Sequence, residues 1–192
     1  MHTEETEQGE YRVWLAGSDI QQLLDHAGTK DIARELAFAL AARSGLRSEE
    51  ITAVTPSDVH HDDTIGWLVT IPDGKGGKHR ESPTPAEYAK LVTALGTDPH
   101  EPVIDVTTRT LRNWIAADRE ELAEQTDDRR WHHVSMHDLR RSWGGQLRAA
   151  EADPAVVLEW GGWSDMETFL DHYRGASVPE AQRQEREKIE WL

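Results

Sequence analysis

The chain has 192 residues, a length that suits one domain or one domain with a short appendage. Acidic residues outnumber basic ones 36 to 21, the net charge is -15, and 37% of residues are hydrophobic. With no cysteine, the chain can build no disulfide, thiolate nucleophile or cysteine metal site. It has no apolar signal core and no run long enough to span a bilayer, which predicts a soluble cytoplasmic protein. The acidic balance weighs against a nucleic-acid partner, because proteins that bind one are usually basic.

Residues 1 to about 12 are polar and acidic and read as a frayed tail, so 1–17 is expected to be an acidic extension. Ser18-Asp19 caps a helix with Ile20, Leu23 and Leu24 on its apolar face. Thr29 or Lys30-Asp31 opens a longer helix. Ile32, Leu36, Phe38, Ala39 and Leu40 make it mostly apolar, as a central buried helix is, and Gly45 is its C-cap. A short helix from Ser48 to about Val54 stops before Pro56. Short strands follow at Val59 to Asp62, Gly66 to Ile71 and Lys78 to Ser82, the last two joined by the glycine-rich turn Asp73-Gly74-Lys75-Gly76-Gly77. Pro83-Thr84-Pro85 opens a helix carrying Tyr88, Leu91, Val92 and Leu95. A long helix runs from about Thr107 to Glu124 and breaks at Thr126-Asp127-Asp128. Ser135 caps a helix from Met136 to about Ala150, and Pro154 starts a short one that ends at Gly161-Gly162. Ser164-Asp165 caps a helix bearing Phe169, Leu170 and Tyr173. Residues 179–192 read as a charged amphipathic helix ending in Ile189, Trp191 and Leu192. The expected fold class is α+β, mainly helical with a small three-stranded antiparallel sheet.

Several polar residues on this scaffold could carry chemistry. His137 and Arg140 stand at i and i+3 near the start of a helix, so they share a face where the helix dipole favours an anion. A guanidinium can grip a phosphate bidentately while an imidazole moves a proton. His133 and His137 have the spacing of a metal pair, but no Glu completes the zinc-protease pattern, so no metal is expected there. Arg47 begins the short helix, and Glu50 one turn on can fix its guanidinium. Lys75, on its hairpin tip, can swing in to protonate a leaving oxygen. The Trp163 indole can donate to a phosphate oxygen. The Tyr173 phenol ionises near pH 10, so it needs a base or neighbouring cations to attack. Taken singly, each residue also has a plainer reading as a surface, turn or core side chain.

Together, four stretches resemble the catalytic domain of the tyrosine recombinases, the phage-integrase and Xer family. They are Ala-Ala-Arg-Ser-Gly-Leu-Arg-Ser-Glu-Glu-Ile, Asp-Gly-Lys-Gly-Gly-Lys-His-Arg, His-Asp-Leu-Arg-Arg-Ser-Trp and Gly-Gly-Trp-Ser-Asp-Met-Glu-Thr-Phe-Leu-Asp-His-Tyr. They span residues 41 to 173 in the family's order. The resemblance implies that Arg47 and Arg140 clamp the scissile phosphate and Lys75 protonates the departing 5′ oxygen. It implies that His137 assists the tyrosine proton and Tyr173 is the nucleophile. Trp163 stands where many members have histidine and some have tryptophan. The chemistry implied is cleavage and rejoining of double-stranded DNA by transesterification, without metal, ATP or cofactor, in a homo-oligomer assembled on DNA. The domain would cover 18–178, with 179–192 as a tail that packs on a neighbouring protomer. Members usually carry an amino-terminal helical clamp domain, and about 17 residues precede the first helix here, which leaves three readings open: an isolated catalytic domain, a truncated piece of a longer chain, or a naturally minimal protein. Two alternatives stay open: a non-catalytic DNA-binding regulator with the same fold, and a topoisomerase-like nicking-closing enzyme. High acidity with only five lysines fits a haloarchaeal member. In molar salt the screening length falls to roughly 3 Å, so local cationic pockets would decide binding there, not bulk charge.

Overall fold

The computed structural model of the protein describes residues 1–74, 78–163, 183 and 186–189. Its elements run β1 (His2–Glu5), β2 (Tyr11–Trp14), α1 (Gly17–Gly28), α2 (Ile32–Ser44), α3 (Ser48–Ile51), β3 (Val59–Asp62), β4 (Gly66–Gly74), β5 (Lys78–Pro83), α4 (Ala86–Leu95), α5 (Thr108–Thr126), α6 (Met136–Ala149) and α7 (Pro154–Gly161). Two short 3-10 turns, Pro56–Asp58 and Arg129–His133, precede β3 and α6.

Helix α2 is the centre of the molecule. Every residue from Leu36 to Ala42 is at most 1% exposed. That explains a sequence apolar all round instead of on one stripe, since neighbours cover every face. Asp31 caps its start by accepting from the Ala33 N–H at 2.8 Å. Gly45 ends it with φ at +66°, and a Cβ there would lie 2.4 Å from the Trp143 ring. Helix α6 packs along α2, α1 and α5 close further sides, and the main core gathers residues from all of them. A smaller apolar cluster of Trp143, Val157 and Trp163 lies between α6 and α7.

Strands β3, β4 and β5 form an antiparallel sheet in that order, with Val59 opposite Val69 and Val69 opposite Ser82. Burial alternates along β5: Arg80 and Ser82 point inward, while His79 and Glu81 face solvent. Ser82 Oγ donates to the Ser44 carbonyl at 2.6 Å, and Ser44 Oγ donates to Thr84 Oγ1 at 2.7 Å. These bonds fix the sheet against the end of α2.

The frayed amino-terminal tail expected from the sequence is instead a hairpin. β1 pairs antiparallel with β2, and Val13, Trp14 and Leu15 are at most 3% exposed. Helix α6 supplies what the polar sequence lacks. The Val13 N–H donates to Asp138 Oδ1 at 3.0 Å, and the Leu15 N–H donates to Ser142 Oγ at 2.8 Å. Asp138 also accepts from the Ser135 N–H and from Arg141 Nη1. One buried carboxylate therefore caps α6, pairs a buried arginine and anchors β2.

The expected helix after Ser164-Asp165, with Tyr173 on it, lies outside the described residues. So do Lys75 at the hairpin tip and Trp191-Leu192 of the carboxy-terminal segment. Among the described residues no helix is long and apolar enough to cross a membrane.

Asp138→Ala leaves Arg141 without its carboxylate and the Val13 N–H without its acceptor. Breaking one side of such a buried pair costs about 3–5 kcal/mol. The expected outcome is a matching loss of unfolding free energy in urea; an unchanged midpoint would show that the hairpin is not held through this residue.

Candidate active site

The turn after α2 with α3, strand β4 and the start of α6 line one cleft, and the end of α7 backs two of its arginines. The cleft measures about 700 Å3, and its lining includes Arg47, Glu50, Thr70, Met136, His137 and Arg140. The structure thus brings together Arg47, Glu50, His137 and Arg140, drawn from stretches up to 93 residues apart.

Glu50 organises the group. Its Oε1 accepts from Arg47 Nη1 at 2.7 Å, and its Oε2 accepts from the Arg47 backbone N–H at 2.7 Å. This is the expected support of Arg47 by Glu50. Oε2 also accepts from Arg80 Nη2 at 2.8 Å. The Glu50 side chain is 8% exposed and that of Arg80 4%.

Arg140 has no carboxylate partner among the described residues. Its Nη1 donates to the Gly45 carbonyl and its Nη2 to the Gly161 carbonyl, the latter at 2.6 Å. Arg47 Nη2 donates to the next carbonyl, Gly162, at 3.2 Å. Two guanidinium groups therefore hang from successive carbonyls where α7 ends. Gly162 makes this possible: its φ is +61°, and a Cβ there would lie 2.5 Å from Arg80 Cδ.

Trp163 is 7% exposed. Its ring lies 4.6 Å beneath the Arg140 guanidinium and stacks on Trp143, with centroids 5.9 Å apart. The described role of Trp163 is to carry Arg140 on a cation–π contact.

Clustered cations in a partly dry site depress one another's proton affinity. Burial, then the charges of Arg47 and Arg80, brings the Arg140 pKa down to about 9, with Glu50 opposing. Burial likewise brings Arg80 down to about 10, offset by Glu50. Both stay charged at neutral pH. Partial dehydration, then the charges of Arg141, Arg140, Arg47 and Arg12, pushes His137 down to about 4. The residue keeps contact with solvent, and the four guanidinium groups act in the same direction as dehydration. At neutral pH His137 is an uncharged imidazole, able to accept a proton.

Arg80 is the functional candidate that the sequence reading passed over. It sits inside one of the quoted stretches, two residues beyond Lys78. The signal was available: strand alternation turns Arg80 inward, and an arginine facing a core needs acceptors there, here the Glu50 carboxylate. Its Nε and Nη1 are buried without a hydrogen-bond partner among the described residues.

A second cleft of about 700 Å3 adjoins the first and shares His137. The hairpin lines it with Glu4, Glu5, Glu7, Glu10 and Arg12, and α6 lines it with Asp138 and Arg141. His137 therefore stands between the cleft that holds Arg47 and Arg140 and an acidic one.

Residues 13–178 match the phage integrase family. Tyrosine recombinase XerC of Neisseria meningitidis serogroup B is 31% identical over 164 residues, which cover 79% of this chain and 48% of that protein. The chain thus spans about half the length of this curated relative. Among solved structures, XerA recombinase superposes with a TM-score of 0.70 at 17% identity, over 92% of this chain and 63% of that one. The catalytic domain of bacteriophage HP1 integrase gives 0.63 at 19% identity, over 90% of this chain and 94% of that one. The Tn1549 transposon integrase, solved with a circular intermediate DNA, gives 0.68 at 14% identity, over 93% of this chain and 66% of that one. The shared architecture is the expected one, mainly helical with a small antiparallel sheet.

Two outcomes test this electrostatic arrangement. Glu50→Gln removes the counter-charge of Arg47 and Arg80 and is expected to lower unfolding free energy by roughly 3–5 kcal/mol, read by denaturant titration. The second concerns His137. Its folded-state pKa lies below the ordinary value of 6.5, so the unfolded chain binds the proton first as pH falls. Stability is therefore lost from pH 6.5 down to about 4 and is retained above that window. His137→Gln is expected to show a shallower loss of urea midpoint between pH 7 and 5 than the wild type; parallel losses contradict the assignment.

Proposed function

The chain belongs to the phage integrase family, and on that premise we propose that it is a site-specific tyrosine recombinase, cleaving and rejoining double-stranded DNA through a 3′-phosphotyrosine. The observation that carries this reading is the pair of guanidinium groups, Arg47 and Arg140, held beside a neutral His137 in one cleft.

In this reading the scissile phosphate enters the cleft and meets Arg47 and Arg140. The Tyr173 oxygen attacks phosphorus, a Tyr173–phosphate bond forms and the bond to the 5′ oxygen breaks. The proton of Tyr173 passes to His137, whose uncharged state suits it to receive one. Lys75 supplies a proton to the departing 5′ oxygen. The two arginines neutralise charge that develops on the phosphoryl oxygens, as preorganised donors do at other such sites. Trp163 supports Arg140 from below and keeps an indole donor near the phosphate. Glu50 fixes Arg47 from behind and is itself held by Arg80. Because the phosphotyrosine conserves the energy of the broken bond, rejoining is the reverse attack and needs neither ATP nor metal.

Residues 18–178 carry the chemistry in this proposal, with β2 packed onto them, and 179–192 forms a tail that docks on a neighbouring protomer in a DNA-bound homo-oligomer. The acidic, lysine-poor composition supports a setting of high salt, where long-range repulsion of DNA is screened.

Incubation with a nicked suicide DNA substrate in high salt is expected to give a covalent protein–DNA adduct on a denaturing gel. The adduct disappears in Tyr173→Phe. Arg47→Ala forms it about 10²–10³-fold more slowly, the loss typical for a transition-state donor. An adduct that persists in Tyr173→Phe removes the nucleophile assignment. DNA binding with no adduct in the wild type favours a non-catalytic regulator, and relaxation of plasmid without site preference favours a topoisomerase-like enzyme.

A further inference from the structure

Helices α1 and α5 share a second polar group whose residues line neither cleft. His26 lies in the last turn of α1, and Asp118 and Glu121 lie one helical turn apart on α5. Each offers one ligand atom, and these atoms all lie within 4.8 Å of one another. His26 Nε2 is 3.7 Å from Asp118 Oδ1 and 3.4 Å from Glu121 Oε2. Metal–ligand bonds of about 2.1 Å place neighbouring donors of a tetrahedral site about 3.4 Å apart. The donors already stand close to that spacing.

Two atoms of the group are buried without a partner. The His26 side chain is 9% exposed, and its Nε2 makes no hydrogen bond. The Asp118 side chain is fully buried; Arg34 Nη1 holds its Oδ1 at 2.8 Å, and its Oδ2 makes no hydrogen bond. An imidazole nitrogen and a carboxylate oxygen left without a hydrogen bond, both dehydrated and on side chains that face each other, call for one shared electron-pair acceptor.

The cations nearby divide into two kinds. Arg34 grips Oδ1, the oxygen that faces His26, and orients the carboxylate so that Oδ2 stays open, as outer partners of metal ligands do. Lys30 Nζ sits 2.7 Å from Glu121 Oε2, with both side chains more than a third exposed, so it can swing away. We propose that His26, Asp118 and Glu121 bind a divalent first-row metal ion, zinc or a neighbour, that clamps α1 to α5. Mixed nitrogen and oxygen donors suit such an ion. The site takes no part in strand cleavage and does not rest on the recombinase reading.

The test is calorimetric titration of the full chain with zinc chloride in a non-chelating buffer. One saturable site is expected, together with a zinc-dependent rise in Tm. His26→Gln and Glu121→Gln should weaken binding at least tenfold, while Lys30→Gln, which removes the competing cation, should tighten it severalfold. His133→Gln, at an exposed histidine away from the group, should leave it unchanged. If His26→Gln folds poorly, the exposed Glu121 and Lys30 variants decide the matter by moving affinity in opposite directions. No binding in the wild type, or binding indifferent to Glu121→Gln, overturns the proposal and leaves a histidine bridging two carboxylates.

Discussion

One carboxylate, that of Glu50, stands between two guanidinium groups that would otherwise repel each other in a confined space. Arg47 and Arg80 both reach it, and Arg140 lies within their field. Two like charges 4 Å apart repel by about 4 kcal/mol at the effective dielectric of a protein surface. A single buried anion cannot cancel three cations, and backbone carbonyls absorb the remainder. Gly45, Gly161 and Gly162 each present an oxygen to an arginine. That requirement shapes the surrounding chain: α2 must stop at Gly45, α7 must stop at Gly161, and β5 must turn Arg80 inward. The cluster retains excess positive charge, and its donors are placed before any anion arrives. An anion entering the cleft therefore meets a site that needs little rearrangement.

Helix α6 shows how closely site and scaffold are joined. His137 and Arg140 serve the cleft, while Asp138, Arg141 and Ser142 between and beyond them are buried against the hairpin. The two sets interleave along one and a half turns. A change meant to alter the cleft thus acts on residues flanked by those that hold β2. The acidic hairpin, in turn, borders the imidazole from the other side.

Much of this was legible in the sequence, because local signals and the final structure agree at particular places. The apolar run from Leu36 to Leu40 described a buried helix, and Asp31 and Gly45 marked its ends. Alternation located the three strands, although β4 continues past the expected Ile71 to Gly74 through a register shift. Arg47 with Glu50, and His137 with Arg140, were recognisable because helical spacing places each pair on one face. The hairpin was not legible, since its strand β1 is polar and its stability comes from Asp138 and Ser142, more than a hundred residues away. Arg80 escaped because its partner Glu50 lies on a different element 30 residues earlier. Trp163 was read as a phosphate donor, and the structure adds a load it carries on its other face, the guanidinium of Arg140. Long-range pairing leaves no periodic trace in a sequence.

The link between β2 and α6 also sets an order of events during synthesis. Val13 leaves the ribosome first, and its partner Asp138 follows 125 residues later. At about 5–20 residues per second, that interval lasts roughly 6–25 s. Until then the nascent chain carries an apolar segment, Val13 to Leu15, with nowhere to dock. The helix that completes the cleft is the same one that shelters this segment. A nascent chain that still lacks α6 can therefore hold neither the docked hairpin nor the assembled cluster of cations, and both become possible once α6 and α7 have emerged.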